Sequence, residues 1–195
     1  MMNGIKTFRV VVGLALMSLV AAPAFAGDFY AGGSLGQAST DVPDMGGVPG
    51  VSVDDSATGY KVFGGYNVIQ YFAVEAAYVD GASMSMTMND PTPLTTSFET
   101  SGFAFRAVGV LPVKEKFSLF ADFGMYMWDG DATVSDGSFS ASGSTDGTDP
   151  VYGLGMGWQV MPKGNLRVEL ERYQTDAEGV DMDVDMLSVG FAYKF

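Results

Sequence analysis

Chemistry in this chain would have to be done by carboxylates. The 195 residues hold 23 Asp and Glu against 10 Lys and Arg, with no His and no Cys. Nucleophilic hydrolysis and acyl transfer commonly use an imidazole to take a proton from Ser or water. A transition-metal site wants imidazole or thiolate ligands. Neither route is open through these residue types. A pair of carboxylates acting as acid and base remains, and Glu75, Asp122, Glu169 and Glu171 are the candidates. Each stands on the polar side of an alternating segment, but Lys61, Arg106 and Arg167 stand on the same side of theirs. Enclosed charges of both signs pair for structure more often than they stand poised for catalysis. The seven are therefore read as one internal charge network, and the protein as non-enzymatic with no cofactor.

The remaining acid is concentrated in four long polar stretches, from Asp41, Asp44, Asp54 and Asp55 through Asp129, Asp131, Asp146 and Asp149 to Asp176 and Glu178. Those stretches contain no Lys or Arg, and Arg172 is the nearest cation. Lys114, Lys116 and Lys163 fall in short connections instead, so charge is polarised along the chain's long axis. The run Asp181-x-Asp183-x-Asp185 is a weak candidate for a hard divalent cation, which prefers carboxylate oxygens. It lacks the Gly and the distal Glu of an EF-hand loop. Solvated, mutually repelling loops are the more economical explanation. With so few cations there is no basic patch to meet phosphates, so nucleic acid is not an expected partner.

The elements that must position these charges alternate with a period of two. The stretch from Asp183 to Phe195 is the clearest. Leu187, Val189, Phe191, Tyr193 and Phe195 share one face, opposite Met186, Ser188, Gly190, Ala192 and Lys194. That is a strand. Seven similar segments precede it, over residues 29–37, 58–67, 71–79, 97–111, 117–128, 151–160 and 165–174. Long connections at 38–56, 80–96, 129–149 and 175–182 alternate with short turns at 68–70, 112–116 and 161–164. Eight antiparallel strands joined up and down, with apolar stripes of Leu, Phe, Met and Trp, predict a closed transmembrane β-barrel: those stripes would aggregate in water, and an open sheet edge in lipid would leave backbone groups unpaired. An even strand count places both termini and the short turns on the periplasmic side, with the acidic loops outside the cell.

The first residues fit export. Lys6 and Arg9 precede an apolar run from Val10 to Val20 and then Ala24-Phe25-Ala26. This reads as a secretory signal peptide over residues 1–26, and its apolar run is too short to span a bilayer as a helix. Its removal leaves a barrel domain over residues 27–195 and takes the net charge from −13 to −15.

Several segments together resemble the transmembrane domain of OmpA and related OmpX-like small outer-membrane barrels. Phe29-Tyr30-Ala31-Gly32-Gly33-Ser34-Leu35-Gly36 is similar to the family's first strand. Val62-Phe63-Gly64-Gly65-Tyr66 and Val74-Glu75-Ala76-Ala77-Tyr78 look like its second and third. Pro150-Val151-Tyr152-Gly153-Leu154-Gly155 and Leu166-Arg167-Val168-Glu169 look like its sixth and seventh. The pattern Ser188-x-Gly190-x-x-Tyr193-x-Phe195 resembles the C-terminal signal read by the outer-membrane assembly machinery. Gly157 stands where the family can carry an acid, so the internal network is expected to differ. The sequence stops at the eighth strand, and no peptidoglycan-binding domain is expected. A monomer in the cell outer membrane among lipids and lipopolysaccharide is expected; the acidic loops invite divalent cations that would bridge them to lipopolysaccharide phosphates, a reading ranked below that of solvated, repelling loops. Eight strands leave an interior just wide enough for side chains, which favours a structural or surface-interaction role in the envelope, with a narrow ion or small-solute channel as the alternative. Phe63, Phe120 and Tyr126 are expected to help fill the lumen, and Glu75 to meet Arg106 or Arg167.

Overall fold

A computed structural model describes residues 28–40, 51–54, 56–81, 84–88, 94–136, 139–177 and 180–195. The expected signal peptide and Asp41, Asp44, Asp55, Asp90 and Glu178 lie outside the described residues. Every described element is a strand: β1 (Phe29–Thr40), β2 (Val51–Asp54), β3 (Ser56–Ile69), β4 (Phe72–Asp80), β5 (Met84–Met88), β6 (Leu94–Lys114), β7 (Phe117–Ser135), β8 (Ser140–Met161), β9 (Gly164–Ala177) and β10 (Val180–Lys194). Short β2 precedes β3 along the chain, and short β5 carries on from β4 along the edge of β6. With β3 and β4 as the second and third barrel strands, eight antiparallel strands close on themselves. β1 pairs with both β3 and β10, and β6 pairs with both β4 and β7.

Alternation dictates which face meets which medium. Along β10, Leu187, Val189, Phe191 and Tyr193 point outward, while Met186, Ser188 and Ala192 are buried inside. Along β7, Leu119, Phe123, Met125 and Met127 face out, opposite Phe120, Asp122, Tyr126 and Trp128. An outer surface of Leu, Val, Phe and Met is unfavourable in water and favourable in hydrocarbon. At the short-turn end it finishes in aromatic pairs: Phe117 stacks on Trp158 at 5.8 Å between centroids, and Phe29 lies 4.7 Å from Tyr66. Rings of this kind sit well at the boundary between lipid and water.

The strands are longer than the sequence pattern predicts. Residues 129–149 were expected as a loop, yet β7 and β8 stay paired to Ser135↔Ser140, leaving only 136–139 between them. Likewise β6 begins at Leu94, and β9 and β10 pair to Ala177↔Val180. Beyond the lipid both faces meet water, so Ser, Thr, Gly and Asp occupy both parities. The backbone ladder continues while the hydropathy contrast that reveals it vanishes. At the other end, Pro112 belongs to β6 rather than to a turn. The register shifts between Pro112 and Lys114, a bulge that accommodates a residue with no N–H to give.

The outward face yields a direct test. Val189 is 57 % exposed in mid-strand. Val189→Arg should cost about 2–4 kcal/mol near the bilayer midplane, and Val189→Leu almost nothing, when reversible unfolding is followed from phospholipid bilayers. Equal stabilities for the two variants would mean that this face does not meet lipid.

Candidate functional site: the charged lumen

Seven charged side chains from five strands converge inside the barrel. They come from β3 (Lys61), β4 (Glu75), β6 (Arg106), β7 (Asp122) and β9 (Arg167, Glu169, Glu171), and all are buried. Lys61 Nζ lies 2.5 Å from Glu169 Oε2 and 2.7 Å from Glu171 Oε2. Glu169 turns its other oxygen to Arg167 Nη2. Arg167 Nη1 donates to Glu75 Oε2 at 2.8 Å. Glu75 Oε1 accepts from Arg106 Nη2 at 2.5 Å. Arg106 Nη1 reaches Glu171 Oε1, and the other oxygen of Glu171 is the one on Lys61. The contacts therefore return to their start. Three cations and three glutamates alternate around a closed ring, and each bridges two neighbours. Tyr30 adds a hydrogen bond from its hydroxyl to Glu75 Oε2 at 2.9 Å.

Local structure makes room for the ring. A strand puts its long side chains straight into a bore that eight strands leave only about a side chain wide. The neighbour across the ladder must then be small. Arg106 lies opposite Gly124, Glu171 opposite Gly153, Glu169 opposite Gly155, and Arg167 opposite both Gly157 and Gly190. A methyl group at Gly124 would collide with the Phe105 carbonyl oxygen and press on Arg106 Cγ, and one at Gly155 would overlap the Phe120 ring. The inward glycines of β8 are thus the space that the β7 and β9 side chains occupy.

The lumen is layered around this ring. Arg167 lies between two aromatic faces, its guanidinium carbon 4.7 Å from the Phe63 centroid and 4.6 Å from that of Phe120. Toward the long-strand end stand Tyr126, Trp128, Val151, Tyr173 and Met186, all buried. Tyr126 and Tyr173 meet edge-on at 4.9 Å, and Trp128 Nε1 donates to Asp149 at 2.7 Å. Toward the short-turn end a cavity of about 510 Å³ is walled by Tyr30, Ala73, Val108 and Phe120 and reaches Lys163 and Lys194 at the mouth. Arg167 closes its inner end.

The other sequence candidates separate. Asp183 and Asp185 are both held by Arg172, the latter through two guanidinium nitrogens. The side chain of Asp181 lies outside the described residues. Cross-strand pairing with Arg172, rather than an open carboxylate cage, is what the two described members of that run do. Among the described residues no group of three or more acidic side chains is placed to hold a metal ion. In the C-terminal pattern, Ser188 and Gly190 face the lumen beside Glu169 and Arg167, whereas Tyr193 faces out and packs edge-on to Phe195 at 5.5 Å. Sequence reasoning passed over Tyr30, Trp128 and Tyr173 as lumen residues. Parity was the available signal for Trp128, which shares a face with Asp122, and for Tyr173, which shares one with Glu171.

Residues 24–195 match the sequence profile of the OmpA-like transmembrane domain. The chain belongs to that family. It is an outer-membrane β-barrel. Solved structures with the same fold include Ail, the attachment invasion locus protein of Yersinia pestis, at 18 % identity and a TM-score of 0.53, covering 86 % of this chain and 100 % of that one. Neisserial surface protein A matches at 15 % identity and 0.55, covering 88 % and 99 %. The N-terminal barrel of Pseudomonas aeruginosa OprF matches at 13 % and 0.50, covering 87 % and 100 %. Ail has also been solved in complex with the heparin analogue sucrose octasulfate. No protein of curated function matches the sequence.

The OmpA-like chain's ring predicts a strong and asymmetric response to substitution. Glu75→Ala strips one partner from each of Arg106 and Arg167 and should destabilise the barrel by about 3–5 kcal/mol, the usual consequence of leaving a buried charge uncompensated. Removing Arg167 in the same chain should restore part of that loss. Denaturant unfolding of the two single variants and the double variant measures the coupling, and strict additivity would show that the pair does not interact.

Proposed function

We propose that this protein is a closed, non-conducting barrel that serves the outer membrane as a structural and surface-contact element rather than as a porin. The observation that carries the reading is the closed ring of six charges across the bore, with aromatic side chains stacked on both sides of it. A conducting lumen needs mobile or single-sign groups along a hydrated path. Here both oxygens of each glutamate are taken by cations. Catalysis finds no support in such an arrangement either, because every ring carboxylate is already committed to two partners.

We infer the orientation from charge and turn length. The short turns carry Lys114, Lys116 and Lys163 and would face the periplasm with both termini. The extended ends of β6, β7 and β8, with Glu99, Asp129, Asp131, Asp146 and Asp149, would stand outside the cell. That acidic end would meet lipopolysaccharide phosphates through shared divalent cations. It does not suit a polyanion of the kind bound to Ail, since sulfates would meet like charge without a cation between. Residues 1–26 as an export signal, a monomeric state and recognition of Ser188, Gly190, Tyr193 and Phe195 by the assembly machinery belong to the same reading.

Two experiments test it. Purified wild-type protein in planar bilayers should show no stable open level, and Glu75→Ala should introduce conductance. Steady wild-type channels would favour the pore reading instead. For assembly, Phe195→Ala should lower the amount reaching the outer membrane in cells while refolding into detergent stays near wild type. Equal cellular amounts would remove Phe195 from the signal.

A further inference from the structure

We infer that Asp122 is a proton-binding site of the lumen, and that the barrel at neutral pH holds it as a neutral carboxylic acid. Charge and geometry lead there independently. Among the described residues the buried charges of the lumen are four carboxylates, Glu75, Asp122, Glu169 and Glu171, and three cations, Lys61, Arg106 and Arg167. The three glutamates and three cations satisfy one another around the ring, so their charges cancel. Asp122 is the group left over. Its Oδ1 touches Arg106 Nη1 at 3.3 Å, the longest ion-pair contact in the lumen, on a nitrogen already given to Glu171. Its Oδ2 is buried with no hydrogen-bond partner among the described residues. Each glutamate, by contrast, has both oxygens engaged.

An uncompensated carboxylate inside a lipid-surrounded barrel is strongly disfavoured, and a carboxyl group escapes that penalty by taking a proton. The charged groups around Asp122 do not offset this. Arg106 on β6 is the nearest cation, and it is shared with Glu75 on β4 and Glu171 on β9. Glu169 and Glu171 on β9 approach from the other side, and Lys61 on β3 is consumed by those two glutamates. Arg167 on β9 is likewise held by Glu75 and Glu169, and Tyr30 on β1 donates to Glu75. Gly153, the neighbour of Asp122 on β8, brings no charge. A proton on Oδ2 leaves Oδ1 as acceptor for Arg106 and brings the lumen to net zero.

The proton comes from solvent and no bond other than O–H forms. Because the folded state binds it where the unfolded chain does not, wild-type stability should fall as pH rises through the titration of Asp122.

Infrared spectroscopy of the refolded barrel in detergent is the direct test, because a protonated carboxyl has a carbonyl stretch separate from those of carboxylates and amides. Wild type at neutral pH should show that band, and Asp122→Asn should lose it. Unfolding midpoints add a second reading. Asp122→Asn should be at least as stable as wild type at mildly alkaline pH and should flatten the pH dependence, whereas Glu75→Gln should be less stable throughout. If Asp122→Asn does not fold, loss of the wild-type band on raising the pH, with the barrel intact, carries the same information. A neutral wild-type spectrum without the band, or an Asp122→Asn variant as unstable as Glu75→Gln, would overturn the assignment.

Discussion

The barrel turns on the problem of placing charge where water is scarce. Six side chains solve it by alternation: Lys61, Glu169, Arg167, Glu75, Arg106 and Glu171 follow one another in a loop in which no charge lacks a neighbour on either side. Guanidinium groups suit the task because their planar fork can hold two carboxylates at once. Two of the three cations here are arginines used in that way. Such a ring ties β3, β4, β6 and β9 together across the bore, so strands distant in sequence and in sheet order restrain one another. Backbone pairing closes the wall, and the ring sets what the wall encloses.

Much of the glycine usage follows from that interior. On the outer face a glycine costs little, since lipid fills the space. On the inner face Gly124, Gly153, Gly155, Gly157 and Gly190 each lie across the ladder from a charged side chain. The space left by the β8 glycines is filled from both neighbouring strands, by Asp122 and Glu171 at Gly153, by Phe120 at Gly155, and by Ser118 and Asn165 at Gly157. The same logic places Arg167 between Phe63 and Phe120, where aromatic faces attract its charge and exclude water.

How much of this was legible before the fold was known can be argued strand by strand. Alternation in β4, β7 and β10 told inside from outside, because lipid and lumen impose opposite demands on adjacent residues. It also placed all seven lumen charges on inward faces. It did not reach the ends of β6, β7 and β8, where both faces are wet and no contrast marks the pleat. It left Tyr30 unassigned, since no charged residue on β1 declares a face, whereas parity with Asp122 and Glu171 was there to be read for Trp128 and Tyr173.

Period-two patterning, an excess of acid and the absence of His and Cys by themselves determined a membrane barrel, a polarised charge distribution and an interior containing Glu75 and Arg106. Those properties are local: each residue declares its face by parity with its neighbours. Which charges meet is not local. Lys61 and Glu171 are 110 residues apart, and Arg167 and Glu75 are 92. Their heights in the bore depend on the stagger accumulated around eight strands. Only the closed barrel decides that six of the seven charges form a balanced ring and that Asp122 is the one outside it.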